Sequence, residues 1–314
     1  MKILMKDQSG AHTGKGFFLQ RLEKSFIKLG HTIVHSPKDT HEIYLDAINF
    51  KLKTAAPKVL RLDGVYFCKN RPYKAPNKVL KKSIKKADGV VWQSAFTQKQ
   101  AHKVLKIVPK KEAVIWNGAD PDEFNVEPAK SKYPKNMLLV AKWLTSKYER
   151  PHKRLKQMIK ISEELCRRDP DLCVWIAGEH KRNPTHERII SLGKVSQPVL
   201  RSYYKLCDVM LNLCSHDSCP NTVVEALVAG VPVVSSFGGG TSELVEGYGV
   251  VLPLDPPWKY GIIKSDKPPK IVNIDMVYDT VQKLLAEKVR VKADHLYIDT
   301  IAQKYIDFFK EVLG

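Results

Sequence analysis

The chain reads as an α/β protein made of two doubly wound halves. Short apolar runs alternate with amphipathic helical stretches throughout. Such βαβ alternation calls for parallel sheets covered on both faces. The alternation breaks over residues 118–134, a polar stretch with three prolines and no periodicity, and then restarts. A strongly amphipathic helix closes the chain.

In the first half, KILM opens as a strand. A helix follows over about 15–29, with Phe18, Leu22, Phe26 and Leu29 on one face. TIVH, KVLRL, GVVW and AVIW read as further buried strands. With the boundary in 118–134, residues 1–130 form one domain and 131–295 the second. There MLLVA is a strand, 154–168 a helix, LCVWIAG a strand ending in glycine, 198–206 a short helix and DVMLNL a strand. Asn221 is expected to cap a helix ending at Gly230, and VPVVSS is the next strand. KSDKPPK (264–270) reads as an exposed loop. In the closing helix, 296–314, residues Ile298, Ile301, Tyr305, Phe308 and Val312 share a face. Sheets of this kind bind ligands beyond the carboxyl ends of their strands. Two facing halves therefore predict a site in the cleft between them.

The 314 residues suit two domains, and 43% hydrophobic with 27% charged residues is an ordinary globular composition. No apolar run approaches the length of a membrane span. MKILMKDQSG lacks a cleavage signature, so a cytoplasmic protein is expected. Cys68, Cys166, Cys173, Cys207, Cys214 and Cys219 form no CxxC pair and have no His cluster beside them, which favours reduced thiols over disulfides or zinc. The net charge is +19 and uneven: residues 1–130 hold 25 Lys+Arg against 12 Asp+Glu, and residues 131–314 hold 27 against 21. This field favours anionic partners such as membrane phosphates, nucleic acid or a phosphorylated acceptor, although a plain basic surface accounts for it equally.

Three motifs carry chemistry. SGAHTGKGFF (9–18) follows the first strand and opens the first helix, where backbone amides around Gly14 suit an anion. Its spacing fits neither a P-loop nor a Rossmann fingerprint, which excludes an NTPase reading. ERPHKRLK (149–156) places Arg150 and Lys153 between a strand end and a helix start, where fixed positive charge suits a diphosphate leaving group. Taken alone, a solvated basic helix start is the better reading, because a charge run is usually plain surface. DSCPNTVVE (217–225) runs into ALVAGVPVVSSFGGGTSELV. Glu225 lies one turn inside a helix, where a carboxylate accepts both hydroxyls of a ribose, and Asp217 lies before that helix, within reach of sugar hydroxyls. Amides of Asn221 and Thr222 suit a phosphate. Gly238, Gly239 and Gly240, followed by Thr241, Ser242 and Glu243, let backbone approach a donor closely. Each piece alone is ordinary capping or turn chemistry; the ordered set is the pattern of a nucleotide-sugar pocket.

The run from 137 to 253 resembles the C-terminal domain of the retaining family 4 (group 1) glycosyltransferases of the GT-B fold. The matches are Glu225, ALVAG (226–230), PVV (232–234) and GGTSE (239–243). LRLDGVYF, KKADGVVWQSAF and WNGADPDEF resemble the first domain more loosely. The resemblance implies two Rossmann-like domains facing a cleft, with the closing helix crossing back to the first. It implies that Glu225 binds the nucleotide ribose, that Asp217 stands near the donor sugar in place of a family Glu, and that Arg150 and Lys153 grip the diphosphate. Lys142 is the alternative first partner, with 144–149 inserted. Gly178 and the strand-like GKV ending at Val195 would border the base. Asp63 stands near the family's N-domain His, as a contact to the donor sugar or an acceptor hydroxyl, or simply as a turn residue. Pro220, where the family often has glycine, removes one amide donor.

The expected activity is retaining transfer of a hexose or related sugar, from a UDP- or GDP-sugar to a glycan, lipid-linked or protein-linked acceptor. Neither metal nor cofactor is expected in the pocket, since cationic side chains and helix-start amides can hold the diphosphate. With no nucleophile placed beside Asp217, front-face attack is expected. One rival reading is glycosylation of modified DNA bases. Lys78, Lys81, Lys82, Lys85 and Lys86 repeat at helical spacing and suit duplex phosphates or, equally, an anionic membrane at which the protein would be peripheral. A second rival is a non-catalytic basic module on the same scaffold.

Overall fold

The computed structural model describes residues 1–8, 13–145, 148–253, 258–265, 267 and 273–314. Most of KSDKPPK and the first residues of the glycine loop at 9–12 lie outside them. The chain folds as two compact units. Unit 1 comprises Met1–Asp120, Lys259–Asp266 and Asp294–Gly314; unit 2 comprises Pro121–Trp258 and Lys267–Ala293. The first break thus falls ten residues ahead of the expected one at 130, and 259–266 returns to unit 1 before the closing helix does.

Unit 1 begins with β1 (Lys2–Met5), α1 (Gly14–Lys28), β2 (Thr32–Val34), β3 (Ile43–Ala47), β4 (Lys58–Leu62), α2 (Lys74–Ile84), β5 (Gly89–Trp92), α3 (Ala95–Leu105) and β6 (Glu112–Val114). Its strands pair in the parallel order β2-β1-β3-β4-β5-β6. Thr13 caps α1 by accepting from the Gly16 amide at 3.2 Å. Phe18, Leu22 and Phe26 are buried as their spacing requires, but Leu29 is 36% exposed because α1 ends at Lys28. The strand expected at AVIW starts earlier, at Glu112, and stops at Val114.

β3, IYLDA, is not among the strands expected from the sequence, because Asp46 interrupts its apolar run. All five residues are buried all the same. The Asp46 carboxylate is satisfied by the Tyr44 hydroxyl and by amides of Ala47 at 2.7 Å and Lys51 at 3.0 Å. A buried polar group so bonded costs little.

Unit 2 contains β7 (Lys135–Val140), a short antiparallel pair β8 (Leu144–Thr145) and β9 (Tyr148–Glu149), α4 (Leu155–Arg168), β10 (Leu172–Ala177), β11 (Ile189–Gly193), α5 (Gln197–Leu206), β12 (Val209–Asn212), α6 (Asn221–Val228), β13 (Val233–Ser236), α7 (Thr241–Val245), β14 (Gly249–Leu252) and α8 (Ile274–Glu287). Its main sheet is parallel, in the order β11-β10-β7-β12-β13-β14. β11 ends at Gly193, so Lys194 and Val195 are not strand.

The closing helix α9 (Ile298–Leu313) packs into unit 1. Its Ile298, Ile301, Tyr305 and Phe308 join Phe18, Phe26, Val59 and Val91 in one core, while Leu60, Leu62, Val90 and Trp92 form another with α2 and α3. The period-2 alternation along β4 and β5 divides the two. Together with the parallel pairing, this double coverage makes both units Rossmann-like, the arrangement of the GT-B fold. Among the described residues no helix is long and apolar enough to cross a membrane.

Gly178, just past β10, has φ +107, and a Cβ there would lie 2.2 Å from the Ala141 carbonyl oxygen. The clash is with backbone and leaves no easy relief. Gly178→Ala should therefore destabilise the fold by about 2–4 kcal/mol, read by urea unfolding.

Candidate functional site

In unit 2 the strand order reverses beside β7, with β10 on one side and β12 on the other. Ligand crevices of such sheets lie beyond the carboxyl ends of the two strands flanking the reversal. The segment after β7 carries Lys153, and the segment after β12 carries Asp217. Lys153 Nζ and Asp217 Oδ2 form an ion pair, with side chains 11% and 24% exposed.

Local backbone explains the meeting. Pro151 starts a 3-10 turn over Pro151–Lys153, preceded by extended Arg150 and followed by Arg154 at φ +56. The Arg150 amide donates to the Trp143 carbonyl at 2.9 Å, holding the turn against the end of β7. On the other side His216 takes φ +49 and donates its amide to Gly238 O at 2.6 Å, while the Gly240 amide donates to Asp217 O at 2.8 Å. The glycine loop is thus laced to the backbone that presents Asp217. A Cβ at Gly239 would lie 2.8 Å from that same Asp217 oxygen, so the close approach requires glycine.

Burial alone would raise the Asp217 pKa. The Lys153 ammonium more than reverses this, and the carboxyl settles at about 2. Burial would lower Lys153, but Asp217 holds it above the usual lysine range. Both groups are therefore charged across the physiological range. Cys214 Sγ lies 3.8 Å from Asp217 Oδ2, and burial pushes its thiol up to about 12. That thiol stays neutral beside the pair.

Three rings beside the pair were not anticipated from residue spacing. His152 and His216 have centroids 5.1 Å apart, and His216 and Trp258 5.6 Å, each pair tilted by about 30°. The Ser215 amide donates to His152 O at 2.9 Å, joining the two loops again. Burial, then the Lys153 charge, then His216 lower the His152 pKa to about 3, so this ring is neutral. The available signal was modest: each histidine directly precedes one member of the ion pair.

Glu225 is 5% exposed in α6, and Tyr204 of α5 donates to its carboxylate at 3.3 Å. Asn221 does not cap α6. Pro220 occupies the N-cap, and its carbonyl accepts from Val223 at 3.0 Å. Proline's fixed φ suits that position, and the amides of Asn221 and Thr222 fall in the first turn, beyond the reach of intrahelical acceptors. Thr241 starts α7 and is 1% exposed, and Ser242 Oγ donates to Gly239 O at 2.8 Å. Lys153, Arg150, Asp217 and the glycine loop thus come together on neighbouring segments. Gly178 instead backs onto Trp143, whose indole N–H donates to Ala177 O at 2.8 Å, and Val195 lies past β11. Gly14 and Asp63 belong to unit 1. Among the described residues no group of three or more His, Cys, Asp or Glu is arranged as metal ligands.

The GT-B fold places the chain among proteins of that class by structure. A sucrose-phosphate synthase from Thermosynechococcus elongatus superimposes with a TM-score of 0.69 at 12% identity, covering 99% of this chain and 98% of that one. Anabaena HepE, solved in complex with UDP-glucose, superimposes with a TM-score of 0.61 at 15% identity, covering 99% and 100%. More specifically, residues 142–257, all within unit 2, match the family described as glycosyl transferases group 1. One component of the human phosphatidylinositol N-acetylglucosaminyltransferase is 24% identical over 72% of this chain and 48% of its own length. The chain thus spans about half the length of the curated relative it matches.

Two outcomes test the electrostatics. Lys153→Met strands a largely buried carboxylate and should cost about 3 kcal/mol of stability, part of which the double variant with Asp217→Asn restores, by urea unfolding. His152 is neutral when folded down to about pH 3 but takes a proton near pH 6.5 when unfolded. Its depressed pKa makes the unfolded state bind more protons in that window, so stability falls as pH drops from 6.5 towards 3. Compared with His152→Gln, the wild type should lose on the order of 1 kcal/mol more per pH unit there, by chemical unfolding across pH.

Proposed function

We propose that this chain transfers a sugar from a nucleotide-sugar to an acceptor, with retention of anomeric configuration and without a metal in the pocket. The observation that carries the reading is the Lys153–Asp217 pair, laced to the Gly238–Gly240 loop at the carboxyl edge of unit 2's sheet. This edge lies within the stretch that matches group 1 glycosyltransferases.

Lys153 is a cation held in place by its own counter-ion. In the proposed reaction it stabilises the departing diphosphate, with Arg150 or Lys142 as its partner. First-turn amides of α6 at Asn221 and Thr222 assist. Glu225, oriented by Tyr204, accepts ribose hydroxyls. Asp217 stays ionised and accepts hydroxyls of the donor sugar. Gly239, Gly240 and Thr241 line the donor, while Gly178 and Val195 border the base. Asp63 meets a sugar or acceptor hydroxyl from unit 1. The leaving phosphate itself assists front-face attack by the acceptor.

A UDP-sugar is the first donor to try, since HepE was solved with UDP-glucose. A lipid acceptor agrees with the name of the human relative. Exposed Lys74, Lys78, Lys82, Lys85 and Lys86 along and just after α2 suit an anionic membrane surface for a lipid-linked acceptor.

The test is thermal shift against UDP, GDP, ADP and CMP, with and without EDTA, on wild type and Glu225→Ala. Stabilisation of about 2–3 kcal/mol equivalent is expected for one nucleotide at about a hundred times its Kd, unaffected by EDTA and lost in the variant. No shift with any nucleotide would point to a non-catalytic module. A shift abolished by EDTA and restored by Mn²⁺ would overturn metal independence.

A further inference from the structure

A cavity of about 720 Å³ opens on the flank of α3 in unit 1. Lys99, His102 and Lys103 line it from the helix, and Lys259 and Tyr260 line it from the segment that returns to this unit after Trp258. Among the described residues no acidic side chain lines it. Lys99, Lys103 and Lys259 are exposed, and no carboxylate of the described residues pairs with them. The cavity carries three ammonium charges that no described neighbour balances.

Its walls are held by specific bonds. Gln100, 1% exposed, clips the returning segment to α3: its Nε2 donates to Gly261 O at 2.7 Å, and its Oε1 accepts from the Gly261 amide at 2.9 Å. Two residues on, the Ile263 amide donates to Phe67 O at 2.8 Å and the Lys69 amide donates to Ile263 O at 2.9 Å. The Phe96 and Tyr260 rings lie 5.7 Å apart. Gly261 has φ +129, where other residues are strained, and a Cβ there would sit 3.7 Å from Lys103 Cγ. The turn that sets Lys259 and Tyr260 against α3 therefore depends on glycine. On the helix side, His102 Nε2 bonds Glu112 Oε2 at 2.9 Å, an oxygen that also accepts from Trp92 Nε1 at 2.6 Å.

A solvated helix face accounts for α3 alone but not for the whole. Lys99 and Lys103 stand one turn apart, where like charges repel. The fold then brings a third lysine to the same cavity from a distant segment and fastens that segment with a buried glutamine. An anion relieves such repulsion. Lysine is a phosphate binder by point charge, and three of them around a cavity of this size suit more than one phosphate. At about 1.5 Å per residue, Lys103 lies roughly 12 Å along α3 from Ala95, which follows the carboxyl end of β5. The cavity is thus displaced from the sheet edge where strand-end loops gather. We propose that it binds clustered phosphates, a diphosphate or bisphosphate group, carried by a free small molecule or by a lipid headgroup. Lys99, Lys103 and Lys259 supply the charge and Tyr260 a hydroxyl donor. The assignment does not depend on the donor reading of unit 2.

The experiment is calorimetric titration of the full chain with pyrophosphate and, separately, with inorganic phosphate, with UDP present to occupy a nucleotide site in unit 2. One variant combines Lys99→Gln, Lys103→Gln and Lys259→Gln. A control of equal charge combines Lys24→Gln, Lys160→Gln and Lys283→Gln, all exposed elsewhere. Pyrophosphate should bind the wild type about ten-fold more tightly than phosphate does, and about ten-fold more weakly in the cavity variant but not in the control. The cavity variant should melt no lower than wild type, because it removes repulsion. The assignment fails if pyrophosphate does not bind, if the cavity variant binds it as wild type, if the control loses as much, or if phosphate binds equally well. Sedimentation with phosphatidylcholine vesicles, with and without phosphatidylinositol bisphosphate, separates the two sources. Sedimentation that requires the bisphosphate and the three lysines, and that pyrophosphate displaces, supports a lipid headgroup; pyrophosphate binding without it supports a free ligand.

Discussion

The ion pair between Lys153 and Asp217 is the constraint around which the unit 2 site is organised. Bringing two charges out of water is costly, and their attraction repays that cost only when geometry is good and the remaining polar atoms are satisfied. Much of the local backbone meets that condition. The 3-10 turn at Pro151–Lys153 aims the lysine, and the strained His216 aims the aspartate. The glycine loop then bonds to the backbone on both sides of the carboxylate. The neutral ring of His152 packs with His216 beside the pair without adding charge of its own.

The same device recurs in unit 1. There the buried Arg61 is matched by the half-exposed Asp63, and in unit 2 a nearly buried lysine is matched by a more exposed aspartate. In each case the cation lies deeper and the carboxylate nearer to solvent. Parallel sheets covered on both faces leave their carboxyl ends as the main place for such groups, because each strand there turns into a loop free to carry polar side chains. The architecture therefore concentrates chemistry along two edges while the faces remain apolar.

Much of this was legible in the chain. Alternation of apolar runs and helical periods marked the two doubly wound halves. The 217–243 block marked the loop, helix and glycine turn where they stand. β3 was not legible, because Asp46 broke its apolar pattern and only Tyr44 and nearby amides make that carboxylate tolerable in a core. Asn221 looked like a cap by residue type, but the proline before it had already set the helix start. The pairing of Arg61 with Asp63 left one faint trace, an arginine at a core position of KVLRL.

The order of strands and helices, the glycines that permit close approach and the residue types at strand ends all follow from the linear pattern of the chain. These are local properties, set by backbone freedom and by the period of apolar residues. Which charge meets which is a matter of the folded chain alone. Lys153 and Asp217 lie on segments following strands that pair side by side although far apart in the chain, and Arg61 meets Asn117 for the same reason. Pairing, burial and the resulting shift in proton affinity depend on distance through space, which strand order sets and residue spacing along the chain does not.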